Sequence, residues 1–143
     1  MEVAIITVGD ELLAGDTVNS NGTWLADQIT ERGATVERIL ALPDDRAVIA
    51  ERVRAYSDTF DAVVVTGGTG GTPDDVTMEA VADAFDREMV VRESVHETIK
   101  EKIRRYEEAR PELELDIDTE AEASLPAESR PLSNPEGLAP GCV

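Results

Sequence analysis

Short apolar runs alternate along this chain with longer stretches of helical periodicity. Val3-Ala4-Ile5-Ile6-Thr7-Val8 is apolar almost without a break, the pattern of a strand covered on both faces. Residues 35–42 and 62–65 predict a second and a third strand. Trp24, Leu25 and Ile29 share one face of a helix that Ser20 or Asn21 can cap and that Gly33 ends near residue 32. Val48, Ile49, Val53 and Tyr56 define a second helix, opened by Pro43-Asp44-Asp45. Met78, Val81 and Ala82 define a third over 77–85. Met89-Val90-Val91 is a short strand candidate, and Val95, Ile99 and Ile103 lie in register on a long helix from a Ser94 cap to about residue 109. Residues 113–118 alternate apolar and acidic and fit no single element, and 119–124 suit a short helix. From Leu125 the chain is punctuated by Pro126, Pro131, Pro135 and Pro140. No repeat and no linker divides it, so residues 1–143 are expected to form a single domain.

Strands alternating with helices imply a three-layer α/β/α sandwich over a mostly parallel sheet. Ligands of such sheets bind beyond the carboxyl ends of the strands. That rule brings three loops to one edge: 9–16, 43–45 and 67–75.

The third loop is the most informative. Val63-Val64-Val65-Thr66 runs directly into Gly67-Gly68-Thr69-Gly70-Gly71-Thr72-Pro73-Asp74-Asp75-Val76-Thr77, where a helix begins. Glycines let the backbone approach a ligand closely, and the free N–H groups of a helix's first turn attract phosphate or carboxylate. Carboxylates in the same loop would repel a phosphate unless a divalent cation lay between them, and Mg²⁺ is the usual one. The P-loop is excluded because no Gly-Lys pair is present, and the dinucleotide fingerprint because Pro73 stands where its third glycine belongs. Asp44 and Asp75 follow the second and third strands by similar short loops and can share a metal or position a phosphate. They can equally cap the helices that follow. Both roles can be filled at once, because each loop carries a spare carboxylate, Asp45 beside Asp44 and Asp74 beside Asp75. Asp10 and Glu11 are a third, less specific pair, and Asn19, Ser20 and Asn21 read as turn and cap residues.

Charge alters the picture next. With 31 acidic and 13 basic side chains the net charge is −18, and Lys100 and Lys102 are the sole lysines. Such self-repulsion destabilises a compact state in dilute buffer and is screened at molar salt, which points to a halophilic protein. No basic patch exists to neutralise nucleic-acid phosphates. One cysteine, Cys142, excludes an internal disulfide and reads as a packing residue. The opening apolar run lacks a basic leader and is too short for a signal peptide, and no stretch approaches a membrane span, so a cytoplasmic protein without membrane partners is expected. His96 has no Cys and no second His near it, and no Ser-His-Asp or Cys-His set is present for covalent catalysis.

The segment from Thr66-Gly67-Gly68-Thr69-Gly70 to Asp75-Val76-Thr77 resembles the signature of the molybdopterin-binding fold, shared by molybdenum-cofactor biosynthesis proteins and the competence/damage-inducible protein A family. Val8-Gly9-Asp10-Glu11-Leu12-Leu13-Ala14-Gly15, Asn21 and Trp24-Leu25-Ala26, and the later Leu125-Pro126 and Asn134-Pro135-Glu136-Gly137-Leu138-Ala139-Pro140-Gly141, are similar to the second branch in particular. The resemblance implies a molybdopterin or adenine nucleotide as ligand, Mg²⁺ as the metal, and one of two reactions. The first is adenylyl transfer to the pterin phosphate, with Asp44 and Asp75 matching the two aspartates used. The second is hydrolysis of ADP-ribose. A non-catalytic binding module is a third reading. Gly67, Gly68, Thr69 and Gly70 would cradle the phosphate, Thr77 would cap the helix and bond the ligand, and Asp75 would hold the metal. Members of the cofactor branch assemble as trimers, so a homo-oligomer is expected by analogy. Family members continue past the Ala-Pro-Gly motif with a further pocket-lining loop, so the resemblance also implies a domain shortened at Val143, and without a nicotinamide-mononucleotide deamidase domain.

Overall fold

The computed structural model describes residues 1–68, 75–113 and 115–143. Its centre is β1 (Glu2–Val8), whose residues from Val3 onward are all buried. β1 pairs in parallel with β2 (Thr35–Leu42) on one side and β3 (Ala62–Thr66) on the other, giving the order β2-β1-β3. Ile5 stands opposite Ile39 and Val64, and Thr7 opposite Ala41 and Thr66. The chain therefore moves outward from β1 to β2, then crosses back over it to β3. Crossovers between parallel strands are right-handed as a rule, which puts the helices of these two on opposite faces.

The side chains agree. Ile6 and Val8 pack into one cluster with Ile49 and Val53 of α3 (Arg46–Ser57) and Ala80 and Ala84 of α4 (Thr77–Ala84). On the other face Thr7 meets Asn19, the cap of α2 (Ser20–Glu31). Successive residues of a strand point to opposite faces, so β1 alone serves both layers. The expected three-layer α/β/α sandwich with a parallel central sheet is observed. Two ion pairs tie α3 to α4 and the turn after it at the surface: Arg46 holds Asp83 of α4 with two hydrogen bonds, of 2.5 and 2.8 Å, and Arg54 holds Asp86, just past α4, at 2.6 Å. The Arg46 guanidinium keeps the Asp83 carboxyl below its ordinary range.

Several local expectations are corrected. The glycine-bracketed loop after β1 contains a short helix, α1 (Asp10–Ala14). Asn19, rather than Ser20 or Asn21, caps α2, its side chain accepting from the Gly22 N–H at 3.0 Å. Trp24 is 61% exposed. The inward stripe of α2 runs through Gly22, Leu25, Ala26 and Ile29, a spacing that leaves Trp24 one position off the face. β4 (Met89–Val91) does not join the central sheet but pairs antiparallel with β5 (Ser124–Pro126). α5 (Glu93–Ala109) begins one residue before Ser94, with Arg92 at its cap position and no side-chain cap bond. α6 (Thr119–Glu122) follows, capped by Asp118, and the proline-rich end forms a hairpin of β6 (Pro131–Leu132) and β7 (Gly141–Cys142).

No helix among the described residues is long and apolar enough to cross a membrane. The −18 charge is distributed over a surface with few cations to offset it. The melting temperature is therefore expected to rise substantially between dilute buffer and molar potassium chloride, because the Debye length falls to about 3 Å and like-charge repulsion is screened. Differential scanning calorimetry across a salt series checks this, and a flat or falling melting temperature contradicts it.

Candidate functional site

At the end of β3 the chain makes two consecutive positive-φ turns, Gly67 at +95° and Gly68 at +54°. Neither position tolerates a side chain. A Cβ on Gly67 would lie 2.1 Å from the Val8 carbonyl oxygen, because the turn passes directly over the end of β1. A Cβ on Gly68 would lie 2.7 Å from Thr77 Oγ1 and 3.0 Å from Asp44 Oδ1. Gly68 thus marks the place where the ends of β2, β3 and α4 converge.

Thr77 is the first residue of α4, and its N–H donates to the Gly68 carbonyl at 3.0 Å. The cap position belongs to Val76, which has no side-chain cap bond. The expectation that Thr77 caps the helix is therefore corrected: a residue already in helical conformation cannot fold its hydroxyl over its own turn as a cap does. Instead Thr77 is 2% exposed, and its hydroxyl has no hydrogen-bond partner among the described residues. A buried hydroxyl without a partner costs about 1–3 kcal/mol, so this one is informative.

The loop after β2 divides its two carboxylates. Asp45 caps α3, accepting from the Val48 N–H at 3.0 Å. Asp44 is thereby left for the glycine turn, and it is locked in place by a reciprocal clamp. The Asp10 N–H donates to Asp44 Oδ2 at 3.0 Å, and the Asp44 N–H donates to Asp10 Oδ1 at 3.2 Å. Asp10 is thus the positioning partner of Asp44, a role that spacing along the chain could not disclose because 34 residues separate them. Asp75 is half-buried and stands two residues before α4. Thr69 and Gly70, expected in the phosphate cradle, lie outside the described residues.

Beside Gly67, toward α1 and α2, a cavity of about 110 Å³ is lined by Thr7, Glu11, Asn19, Ser20, Asn21 and Gly67 among others. Asn19 is bound into its wall, donating to Thr7 Oγ1 at 2.9 Å. On the far side of α4 the β6–β7 hairpin closes over the first turn, with Cys142 Sγ 3.5 Å from Met78 Sδ. Burial pushes the Cys142 thiol pKa up, as suits a packing residue. The hairpin's loop is held by Asn134, which accepts from the Gly137 N–H and donates to the Ala139 carbonyl, and by Lys102, which donates to the Asn134 and Gly137 carbonyls.

These features define a class of protein: a parallel α/β domain with a glycine turn leading into a helix N-terminus, flanked by loop carboxylates. The model of the family "probable molybdopterin binding domain" matches residues 4–143, and the chain belongs to that family. A protein from Pyrococcus horikoshii is 45% identical to it, over 96% of this chain and 55% of its own length. A CinA-like protein from Citrifermentans bemidjiense is 38% identical, over all of this chain and 33% of its own. The crystal structure of a CinA protein of unknown function from Thermoplasma acidophilum superposes with a TM-score of 0.86 at 33% identity, covering 99% of this chain and 79% of that one. The molybdopterin biosynthesis enzyme MoaB from Thermus thermophilus superposes with a TM-score of 0.52 at 29% identity, covering 68% and 61%. The chain spans about half the length of the curated relatives it matches.

Proposed function

We propose that this domain binds the phosphate of a molybdopterin or an adenine nucleotide at the Gly67–Gly68 turn and, with Mg²⁺, carries out adenylyl transfer to the pterin phosphate. The observation that carries the reading is the buried Thr77 hydroxyl, without a partner among the described residues and next to the place where Gly68 lacks a Cβ. An anion at that place accepts from the hydroxyl and from the α4 N-terminus, which is left without a side-chain cap. Gly67, Gly68, Thr69 and Gly70 supply the close backbone approach, and the cavity beside Gly67 receives part of the ligand remote from the phosphate.

The residues present fit a metal as well. Asp75, with Asp44 at the glycine turn, would hold Mg²⁺, and the cation would neutralise charge on the reacting phosphates. In adenylyl transfer a pterin-phosphate oxygen forms the new bond to the α-phosphorus of ATP, and the bond to the β-phosphate oxygen breaks to release pyrophosphate. The chain's own contribution is alignment and charge stabilisation, with no protein nucleophile required. A second reading, hydrolysis of ADP-ribose, is favoured by the similarity to CinA-type proteins over the whole of this chain. The same groups would then orient water rather than a pterin phosphate. A homo-oligomer is proposed by analogy alone.

Thr77→Val tests the site itself. The substitution keeps the volume and removes an unsatisfied polar atom, so the fold is expected to be unchanged or slightly more stable. Affinity for a Mg²⁺–nucleotide, measured by titration calorimetry, is expected to fall about tenfold, the loss of a hydrogen bond to a charged acceptor. Unchanged affinity removes Thr77 from the site. Incubation with ATP plus molybdopterin, and separately with ADP-ribose, distinguishes the two reactions. Binding without turnover of either supports a non-catalytic module.

A further inference from the structure

Remote from the glycine turn, the first turn of α5 carries Glu93, His96 and Glu97, whose spacing puts them on one face of the helix. One ligand-capable atom from each lies within 4.8 Å of the other two. We propose that these three side chains form a binding site for a divalent first-row transition cation of the zinc type. The proposal is independent of the function assigned above.

Three features argue for a site rather than a chance cluster. His96 is the chain's single histidine, and it is held from outside the cluster: its Nε2 lies 2.9 Å from Thr119 Oγ1, at the start of α6. When Nε2–H donates to that hydroxyl, Nδ1 carries the lone pair and the ring is fixed, as the outer partners of metal-bound imidazoles do. The carboxylates of Glu93 and Glu97 stand within 4.8 Å of one another one turn apart, and when both are ionised they repel unless a cation lies between them. Lys100 answers part of that need, donating to Glu97 Oε1 at 2.7 Å. Glu97 Oε2 takes no part in that bond.

The donor set selects the ion class. One imidazole nitrogen with two carboxylate oxygens, and positions left for water, suits Zn²⁺ or its neighbours. Mg²⁺ prefers oxygen alone and keeps its waters. The excess of negative charge over the whole chain adds a general attraction for cations, so the experiment must distinguish a built site from diffuse association.

The single histidine makes the test direct. The full chain, free of metal, is titrated with ZnCl₂ while the His96 ring resonances are followed by NMR and the stoichiometry by calorimetry. The expected result is a shift of those resonances that saturates at one Zn²⁺ per chain, with no comparable shift from Mg²⁺ at the same concentration. His96→Gln and Glu93→Gln are each expected to weaken this binding at least tenfold. Glu108→Gln, at the other end of α5, is expected to leave it unchanged. Resonances unmoved by excess Zn²⁺ overturn the proposal without recourse to any variant. So does equal binding by the Glu93→Gln protein, or an equal response to Mg²⁺, since either reduces the effect to diffuse attraction.

Discussion

Gly67→Ala is expected to destabilise the fold by about 3 kcal/mol, lowering the melting temperature of a domain this size by roughly 10 °C. Two costs add. A non-glycine residue at φ +95° is strained, and the new Cβ would stand 2.1 Å from the Val8 carbonyl oxygen, a backbone atom that cannot swing aside. Gly15→Ala separates these costs. Gly15 also has positive φ, at +78°, but nothing lies within 4 Å of its would-be Cβ. Strain alone should cost about 1–2 kcal/mol there. Urea unfolding of both variants measures the difference. Equal midpoints for the two would show that the turn does not press on β1, and the geometry of the candidate site would fall with that contact.

The second large effect concerns charge. On the proposed function, Asp75→Asn is expected to reduce Mg²⁺-dependent turnover about 100-fold, or about 2.7 kcal/mol on the transition-state scale, because a metal's neutralisation of the reacting phosphate is worth several kcal/mol. Asp44→Asn should lose activity in the same direction. Its structural clamp should survive, since the asparagine carbonyl oxygen can still accept from the Asp10 N–H. Asp45→Asn should be mild, because asparagine caps a helix about as well as aspartate, and α3 needs only that. Thermal melts accompany the kinetics. Full Mg²⁺-dependent activity in Asp75→Asn together with early melting would make the residue structural and remove it from the site.

Much of the architecture was legible from residue pattern alone. The unbroken apolar run of β1 announced burial on both faces, and it proved to be the middle strand of the parallel sheet. Asp45 and Gly33 begin and end elements where local chemistry requires it: one as a helix cap, the other at φ +82° just past α2. The glycine turn before α4 was readable for the same reason. Two positive-φ residues between a strand and a helix serve a close approach of the backbone, whatever the distant surroundings are. Helix faces were less secure. A tryptophan in an apolar stretch suggests burial, but the Gly22, Leu25, Ala26 and Ile29 stripe shows the helix rotated by one position.

By itself, then, the sequence determined the three strands of a parallel sheet, the main helices between them, and the loops that carry glycine and carboxylate, since each depends on interactions within a few residues. The tertiary structure alone decided how those loops divide their roles. It assigned Asp45 to a helix end and Asp44 to the glycine turn, through a clamp with Asp10 that crosses between neighbouring strands. It turned Thr77 from an expected cap into a buried hydroxyl lacking a partner among the described residues. It also brought Thr119 to His96, which along the chain has no Cys and no second His near it. The Asp10–Asp44 clamp and the Thr119–His96 contact join residues 34 and 23 positions apart in the chain. Local propensity and periodicity carry no record of such contacts, which exist only once the sheet has brought its loop edges together and the helices have packed.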